Sequence, residues 1–525
     1  MDTYDTLPYQ STPVTQTHPE NLAVLGFLHG VSPPDPSRCR LLELGCAAGG
    51  NLIPMAWYLP HSHFLGIDAS TTQARDGQAL IARLGITNVE IRQQDILQLE
   101  APLGEFDFIL AHGVFSWVPH AVQEKILSIC GENLAPNGIA CISYNTLPGW
   151  RMRGMLRDML LHHTRKLESP TDKVEAAREF LGSLKPALQG FDAYSAKYVS
   201  YEAEHLLTAH PSYLFHEYLE AINQPLLFSE FAARARSHGL QYLCDLDLQS
   251  MFPSVLGDKV VAFVEGIGDV IEREQRLDFV RSRNFRQTLL CRAAQEVERT
   301  LHLEKLDALA FFANLSPPKK LDFRRIKEAP FSAPNGTRYP VRHPLTRAAL
   351  LYLLRVYPEA VDFDALFAHA QKRVVSNGDP RYANDLYPLR GELLSLYAHQ
   401  ALGLAMGARP IARTVPERPR ACGLARSQAD AGLGHLATAR HETLRIDAFT
   451  GRLVSYLDGT RTKDELVAQL TSDIIGGRLD VDGATDQSEE KLKSRITGTC
   501  ERLLSVLARH GLLTQPARDM PPSTS

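Results

Sequence analysis

The sequence predicts an α/β domain with a parallel sheet in its amino-terminal third, followed by mostly helical segments. Between residues 38 and 147, short apolar runs alternate with helical patterns, which is typical of a parallel sheet covered by helices. After about residue 150 this alternation ends, and apolar residues recur at helical spacing. A chain of 525 residues is also too long for a single hydrophobic core. We therefore expect several domains.

The predicted strands are five apolar runs: Arg40 to Leu44, His63 to Asp68, Val89 to Arg92, Phe106 to Leu110 and Ile139 to Tyr144. Two of the helices between them carry terminal signals. Ser70 is placed to cap a helix that runs to about Leu84, and Gly85 can end it. Pro119 suits the first turn of the helix that precedes the fifth strand. These signals support the alternation of strands and helices.

Composition excludes several classes of protein. The formal net charge of -4 gives no general attraction to nucleic acid or to an anionic membrane. The eight cysteines form no Cys-x-x-Cys pair, so we expect neither a metal site nor a disulfide framework. No apolar run approaches the roughly 20 residues that span a bilayer. We expect a soluble cytoplasmic protein without membrane insertion.

The most informative segment runs from Leu41 to Asn51, where an apolar strand leads through a turn of small residues into a helix. Small residues let backbone amides approach a ligand, and the helix start offers unpaired N–H groups. A dinucleotide-binding loop would use the same arrangement. However, Glu43 lies two residues before Gly45, where a carboxylate can accept the ammonium of an amino-acid-like ligand and would repel a pyrophosphate.

Two further acids follow the next two strands. Asp68 ends the second strand and can accept both hydroxyls of a ribose. Asp95 follows the third strand and can accept the amine of an adenine, with Ile96 supplying a backbone amide and an apolar face. Taken singly, an acid at a strand end is more often a helix cap than a ligand. Three such acids in this order predict S-adenosylmethionine rather than a nicotinamide or flavin.

The residues after the fourth and fifth strands concern the methyl acceptor. The segment from Ala111 to Pro119 holds neither Asn/Asp-Pro-Pro-Tyr nor a Pro-Cys nucleophile, so methylation of nucleic-acid bases is not expected. His112 could contact the cofactor, act as a base or be a structural imidazole. Aromatic rings here could surround an amine and lower its pKa by desolvation, or they could be ordinary core residues.

These residues together resemble the bacterial protein-lysine methyltransferase family that carries a methyltransferase regulatory domain, known from rickettsial enzymes. The segment after Glu43 also resembles the first motif of class I methyltransferases, an acid followed by x-Gly-x-Gly-x-Gly, but it departs at Ala47, where the middle glycine is expected, which predicts tight packing rather than lost binding. The resemblance is carried by Tyr4 to Tyr9, Thr17 to Pro19, Glu43 to Pro54, Gly66 to Asp68, Ala111 to Pro119, Ser143 to Gly154, Leu214 to Glu220, Gly239 to Leu243 and Arg283 to Leu290.

The resemblance implies a Rossmann-like class I methyltransferase domain, a mostly helical middle and winged-helix-like carboxyl-terminal domains. It also implies S-adenosylmethionine as cofactor, S-adenosylhomocysteine as product, a protein lysine as acceptor and a homodimer. The predicted domains are 1–165, the methyltransferase domain with an amino-terminal lid; 166–310, the regulatory or middle domain; 311–406, a helical, winged-helix-like domain; 407–434, a linker; 435–515, a winged-helix-like module; and 516–525, a frayed tail.

The residues assigned to each site follow from the motifs and the resemblance together. The predicted cofactor residues are Tyr9, Thr17, Glu43, Gly45, Cys46, Ala47, Gly49, Asn51, Asp68, Ala69, Asp95, Ile96 and His112. The predicted acceptor pocket is formed by His112, Trp117, Tyr144 and Trp150. The segment that contains Tyr9 could be a lid or only a packing strap.

The sequence is also compatible with two other hypotheses about the function. The chain could methylate an oxygen or nitrogen of a small molecule, or it could sense S-adenosylmethionine without catalysis and bind a partner. The run from Arg283 to Arg286 could grip an acidic substrate or form salt bridges between domains. We interpret His216 and Glu217 as packing or capping residues, because no second histidine follows at the spacing of a zinc helix.

Overall fold

The computed structural model describes residues 3–9, 11–100, 103–408, 411, 414–480 and 488–514, so the predicted frayed tail lies outside the described residues. The strands are β1 Arg40–Leu44, β2 His63–Asp68, β3 Val89–Gln93, β4 Phe106–Ala111, β5 Leu134–Asn145, β6 Leu240–Asp245, β7 Phe285–Arg292, β8 Ala310–Phe312, β9 Ala329–Ser332, β10 Arg338–Val341, β11 Val361–Asp362, β12 Gly403–Ala405, β13 His435–Ala437 and β14 Thr443–Arg445.

The helices of the first 300 residues are α1 Thr3–Thr6, α2 Pro19–Leu28, α3 Leu52–Tyr58, α4 Thr71–Leu84, α5 His120–Asn133, α6 Trp150–Thr164, α7 Pro170–Ala187, α8 Tyr194–Thr208, α9 Pro211–Tyr218, α10 Phe228–Ser237, α11 Asp258–Val264 and α12 Val270–Arg281. Those that follow are α13 Pro344–Val356, α14 Phe363–Asn377, α15 Leu386–Ala398, α16 Gly423–Asp430, α17 Ala448–Tyr456, α18 Lys463–Ile475 and α19 Glu489–Arg509.

One mixed sheet of seven strands organises the amino-terminal half, in the order β3-β2-β1-β4-β5-β7-β6. The strands β1 to β5 pair in parallel, and β7 lies antiparallel between β5 and β6. The predicted α/β class is therefore confirmed. Ser70 caps α4 by accepting from the N–H of Gln73, as expected. Because parallel strands end at the same sheet edge, the residues after β1, β2 and β3 lie side by side.

The middle of the chain is mostly helical, but it is not the separate unit that we expected. The strands β6 and β7 pair with each other, and β7 also pairs with β5, so they extend the methyltransferase sheet. The sequence conceals β7 because Arg286 and Thr288 interrupt its apolar run. Both side chains are fully buried in the structure. Buried polar residues can thus belong to an interior strand when they have hydrogen-bond or ion-pair partners, even though they interrupt the apolar pattern of its sequence.

The carboxyl-terminal third forms two packed modules. In the first, α13, α14 and α15 share a core with the three-stranded antiparallel sheet β11-β8-β12. In the second, α16 to α19 pack around the β13–β14 hairpin, and a capping box between Thr462 and Glu465 begins α18. No helix among the described residues combines the length and apolar character that crossing a bilayer requires.

The predicted linker at 407–434 is wrong over its second half. Residues Gly423–Asp430 form α16, whose Leu424 and Ala425 are completely buried. The preceding Cys422 donates its backbone N–H to the carbonyl of Leu512. The buried face of this helix combines Leu424 and Ala425 with the polar Ser427 and Gln428, and arginine and proline precede it, so the sequence pattern resembles a linker. This helix belongs to the last module and packs it against the methyltransferase domain near Trp57.

Candidate active site

The loop after β1 has a backbone that requires small residues. Gly45 and Gly49 have φ angles of +75° and +73°, and a Cβ added at Gly45 would lie 2.2 Å from Val114 Cγ2. Ala47 also has a positive φ, +50°. We expected only tight packing there, but an alanine in this left-handed region also costs about 1 kcal/mol of backbone strain. The N–H of Ala47 donates to Asp68 Oδ2 at 2.7 Å, which helps to hold the loop in this shape.

Glu43 is the most unusual residue of the sheet edge, because its carboxylate is buried and only half partnered. Its Oε1 accepts from Asn51 Nδ2 at 2.8 Å, whereas its Oε2 has no hydrogen-bond partner within the described part of the chain. Burial raises the pKa of Glu43 to about 7, and the nearby charge of Asp68 adds to the shift. A buried carboxylate oxygen without a donor is costly. The site therefore fits a ligand that brings a cationic donor, as the ammonium of S-adenosylmethionine would.

Asp68 lies at the end of β2, next to Glu43 on the same sheet edge. Its Oδ1 accepts from the N–H of Ser70 at 2.9 Å, and its Oδ2 accepts from Ala47. The carboxylate is half-buried at this edge. Each carboxylate oxygen can accept a second hydrogen bond. Asp68 can thus hold the loop and accept ribose hydroxyls at the same time.

Asp95 follows β3 and caps the short 3₁₀ helix Ile96–Gln98. Its Oδ1 accepts from the N–H of Leu97 at 2.9 Å, and the side chain is exposed. The cap uses one oxygen and leaves the other available to a ligand. The side chain of Ile96 is buried, so its apolar contribution is directed at the core more than at an adenine.

Two other residues predicted for the cofactor site contribute mainly through their backbone. Cys46 is buried with its Sγ against Gly66 beneath the loop. Ala69 is exposed, and its carbonyl accepts from Gln93 Nε2 at 2.9 Å, which ties β2 to β3. Neither side chain points to a role in binding, but both backbones shape the edge at which Glu43 and Asp68 meet.

The segment before α2 lies across the loop as a strap that is anchored along its length. Near its start, Asp5 accepts from Ser70 Oγ at 2.5 Å. Further on, the N–H of Gly50 donates to Ser11 Oγ at 2.8 Å. Thr17 is buried and its hydroxyl accepts from Asn51 Nδ2 at 3.1 Å. No local pattern indicates a role for Ser11, because it is one serine in a polar stretch.

Tyr9 lies in this strap beside the middle domain. Its ring centroid is 5.8 Å from that of His216, and burial raises the pKa of its phenol to about 12. His216 in turn bonds to the carbonyl of Leu7 at 2.7 Å and to Glu220 at 2.8 Å. The imidazole therefore packs the strap against α9, in agreement with its interpretation as a packing residue.

His112 follows β4 and is held by a serine that the sequence analysis did not identify. Its Nδ1 lies 3.1 Å from Ser143 Oγ, which also accepts from the N–H of Gly113 at 2.7 Å. Burial lowers the pKa of His112 to about 4. The imidazole is therefore neutral at pH 7 and is a weak base, which favours a contact role over proton abstraction.

Trp117 and Trp150 meet at the ends of β4 and β5. Their rings pack edge to face with centroids 6.0 Å apart. Trp150 begins α6 and is buried, whereas Trp117 is half-buried. The guanidinium of Arg153, one turn along α6, lies 5.4 Å from the ring of Trp150. The structure thus brings together two of the four residues predicted for the acceptor pocket, with His112 following the same strand as Trp117.

Tyr144 does not belong to the acceptor pocket, and that prediction is wrong. Its ring stacks on Phe231 with centroids 4.0 Å apart, and its hydroxyl bonds to Thr288 at 2.9 Å within the core. Successive side chains of a strand point to opposite faces of the sheet. Since Ser143 points to His112, the next residue, Tyr144, must point to the opposite face of the sheet.

The arginines at the start of β7 form ion pairs instead of a substrate grip. Arg286 is fully buried and contacts Asp245, Asp278 and Glu274 at 2.9, 2.8 and 3.2 Å. Arg283 adds a 2.9 Å pair with Asp245. These charges compensate one another inside the protein, so the arginines are not available to an acidic substrate.

Three family models match successive parts of the chain. A methyltransferase domain matches residues 41–138, a predicted methyltransferase regulatory domain matches 210–292, and the PKMT C-terminal winged helix domain matches 417–512. An uncharacterized protein of Rickettsia prowazekii is 30% identical over 97% of this chain and 93% of its own length. The chain belongs to this family of methyltransferases. The winged-helix match includes α16, which agrees with its place outside a linker.

Solved structures of the family support the same conclusion. PKMT2 from Rickettsia typhi is 27% identical and superposes with a TM-score of 0.86 over 97% of this chain and all of that one. Its complex with S-adenosylhomocysteine is 28% identical, with a TM-score of 0.86 over 96% of this chain. The chain described here is thus an S-adenosylmethionine-dependent methyltransferase with a Rossmann-like domain and a carboxyl-terminal winged helix.

Proposed function

We propose that this methyltransferase modifies lysine amines of proteins. The observation that carries the proposal is the Trp117–Trp150 pair at the ends of β4 and β5. The guanidinium of Arg153 lies next to it, with two carboxylates nearby. Glu202 and Glu217 both act electrostatically on Arg153. An aromatic wall beside net negative charge suits a long cationic side chain. The similarity to the PKMT2 structure supports the same acceptor.

We propose that the sheet edge binds the cofactor through its three acids. Glu43 receives the ammonium, Asp68 the ribose hydroxyls and Asp95 the adenine amine. When bound, S-adenosylmethionine supplies a methyl group on a positively charged sulfur. The other residues that we assign to this pocket shape its loop, its strap and its rim: Tyr9, Thr17, Gly45, Cys46, Ala47, Gly49, Asn51, Ala69, Ile96 and His112.

The acceptor amine must lose its proton before its lone pair can attack the methyl group. Burial against the wall formed by Trp117 and Trp150 disfavours the charged amine, and the like charge of Arg153 acts in the same direction. Burial raises the pKa of Glu217, and a cationic side chain nearby would favour its ionised form. Because burial lowers the pKa of His112 to about 4, this imidazole is a weak base. The amine proton is therefore released to solvent, and His112 acts by positioning. Alignment and desolvation then carry the rate enhancement.

The acceptor class is tested by incubating the full-length protein with methyl-labelled S-adenosylmethionine and a heat-treated bacterial lysate. Protein and small-molecule fractions are separated, and the protein is hydrolysed to amino acids. We expect the label in methylated lysine. Label confined to the metabolite fraction would overturn the proposal and favour a small-molecule acceptor. Cofactor binding without transfer to either fraction would favour a non-catalytic sensor.

Glu217→Gln tests whether the acidic side of this pocket recognises the acceptor. We expect the KM for the protein acceptor to rise several-fold, since a carboxylate near a cation contributes about 1 kcal/mol or more. The Kd for S-adenosylhomocysteine should stay the same. Glu204→Gln is the matched control, because Glu204 is exposed and pairs with Lys185 at 3.3 Å. An equal KM for both variants would remove Glu217 from the acceptor site.

We also propose that the protein works in the cytoplasm. All eight cysteines are free and buried, which suits a reducing compartment. The homodimer implied by the family resemblance stays a prediction, which the sedimentation of the purified protein would test.

A further inference from the structure

The winged-helix module touches the cofactor loop through one side chain, that of His441. This residue lies in the turn between β13 and β14, where its φ is +57° and only 1% of its surface is exposed. Its Nε2 lies 2.7 Å from Asn51 Oδ1 on the loop, across 390 positions of sequence. A non-glycine residue in this conformation is uncommon and marks a position that its surroundings determine strongly.

The chemistry of its neighbours fixes which way the amide of Asn51 points. The backbone N–H of Val14 lies 2.9 Å from Oδ1 and can only donate. On the other side, Nδ2 lies 2.8 Å from Glu43 Oε1. Since Oδ1 can only accept, His441 must carry its proton on Nε2 and donate it. Burial lowers the pKa of His441 to about 3, so this donor is the neutral imidazole.

The contact of His441 with the methyltransferase domain is not limited to Asn51. The hydroxyl of Thr15 donates to the carbonyl of His441 at 2.8 Å, and the hydroxyl of Thr443 lies 3.5 Å from the carbonyl of Pro13. The ring of His441 also lies 5.2 Å from that of His18. The turn is therefore seated between the strap and the loop, where its position and that of Asn51 depend on each other.

We propose that His441 is a positioning residue for the cofactor, because its Nε2–H holds Asn51 so that Glu43 presents its unpartnered Oε2 to the ammonium of the ligand. The inference rests on the proposed role of Glu43. It makes the winged-helix module part of the cofactor site. By reciprocity, a ligand that uses Glu43 strengthens the seating of the turn as much as the turn strengthens binding of the ligand.

Calorimetry with two ligands tests this relay on the full-length protein. S-adenosylhomocysteine carries the amino-acid group, whereas 5′-methylthioadenosine has the same nucleoside and lacks it. His441→Leu removes the donor, and we expect about a tenfold loss of affinity for S-adenosylhomocysteine, as for a hydrogen bond that supports a charge. Affinity for methylthioadenosine should change less than about twofold. His441→Gln, whose amide nitrogen reaches the place of Nε2, should restore most of the loss.

The outcomes separate this inference from the proposed function. Equal losses for both ligands would mean general damage to the site and would overturn the relay. If Glu43→Gln keeps the wild-type preference for S-adenosylhomocysteine, the role of Glu43 itself fails. If Glu43→Gln abolishes that preference and His441→Leu preserves it, only the relay fails. Should His441→Leu not fold, His441→Asn replaces it, since asparagine tolerates a positive φ but is too short to donate from the same place.

Discussion

Two buried charged clusters lie in the same sheet, and they differ in how completely their charges are paired. Near β7, the guanidinium of Arg286 meets three carboxylates within 3.2 Å. At β1, the carboxylate of Glu43 meets one amide and has an oxygen without a partner in the described chain. Burial of charge alone therefore does not mark a site. The incomplete pairing at Glu43 does, because it leaves a binding contribution for a ligand to make.

The two clusters should also differ in how they contribute to the stability of the protein. A buried ion pair contributes little net stability, but removing one partner is strongly destabilising because the other charge stays buried. A buried charge without a partner is already costly, so neutralising it should stabilise the free protein and weaken the complex. The two clusters should thus respond to neutral substitutions in opposite directions.

The largest effect is expected at the paired cluster. Arg286→Met removes the cation that pairs with Glu274 and leaves Asp245 and Asp278 with Arg283, so it should destabilise the protein by about 3–5 kcal/mol. We expect the thermal midpoint to fall by about 10 °C. Arg276→Met is the control, because the exposed Arg276–Glu272 pair should contribute less than about 1 kcal/mol. A thermal midpoint unchanged by Arg286→Met would contradict our account of this cluster.

The next effect is expected at the unpaired carboxylate. Glu43→Gln keeps the size of the side chain and its bond to Asn51 but removes the charge. We expect the affinity for S-adenosylhomocysteine to fall about 100-fold, since a buried charge-assisted contact contributes about 2–3 kcal/mol. Calorimetry measures the change. Glu90→Gln is the control, because Glu90 on β3 is exposed and pairs with Arg92. Equal affinities of the two variants would contradict the assignment.

Binding should depend on pH through the same group. The pKa of Glu43 is about 7 in the free protein, above its ordinary value. An ammonium ligand needs the ionised form, so affinity is full above pH 7 and falls as the pH drops below it, by about tenfold per unit. Titration calorimetry at pH 8, 7 and 6 measures the slope. Glu43→Gln should show a flat profile over this range, and a slope that persists in it would point to another group.

The stability of the free protein should depend on pH with the opposite sign. A carboxyl whose pKa is raised by folding favours the protonated state, so its contribution is lost as the pH rises from the unfolded value towards 7. At pH 8, Glu43→Gln should therefore melt higher than wild type by about 5 °C or more. At pH 5 the two should melt together. A lower melting temperature of the variant at pH 8 would contradict the idea that this carboxylate is poorly compensated.

The smallest effect is expected in the loop after β1, which Glu43 and Asp68 contact through Asn51 and Ala47. Ala47→Gly relieves a left-handed alanine but loosens the unfolded chain, so the net gain in stability should be below about 1 kcal/mol. Ala48→Gly is the control, since Ala48 is not among the residues with positive φ and should lose stability. Thermal melts of the two variants decide between strain and ordinary packing. A clear loss of stability in Ala47→Gly would exclude the strain.

Local patterns predict the part of the fold that depends on local spacing. The five parallel strands and the acids that follow three of them could be found because apolar runs and strand ends have short-range signatures. The start of β5 at Leu134 was missed, since Pro136 and Asn137 give the signal of a turn. The strand β7 was missed because Arg286 lies within it and is balanced by acids on other elements, Asp245 on β6 and Glu274 and Asp278 on α12.

The remaining errors at the site have physical causes of the same kind. The position of Tyr144 follows from strand alternation once Ser143 is placed, but nothing local shows which of the two faces the ligand. His441 has no local signature, because it is one histidine in a turn. It gains its role only when its own module docks on Asn51, which lies 390 positions earlier in the sequence. Long-range contacts decide such roles, and a single sequence does not record them.

The central claim is that Glu43 and Asp68 hold the cofactor at one sheet edge. A crystal structure of the full-length protein with S-adenosylhomocysteine tests it most directly. We predict the ligand ammonium at about 3 Å from Glu43 Oε2, with the ribose hydroxyls at a similar distance from Asp68. A ligand whose amino group points away from Glu43, or that binds outside the edge formed by β1 and β2, would contradict the account.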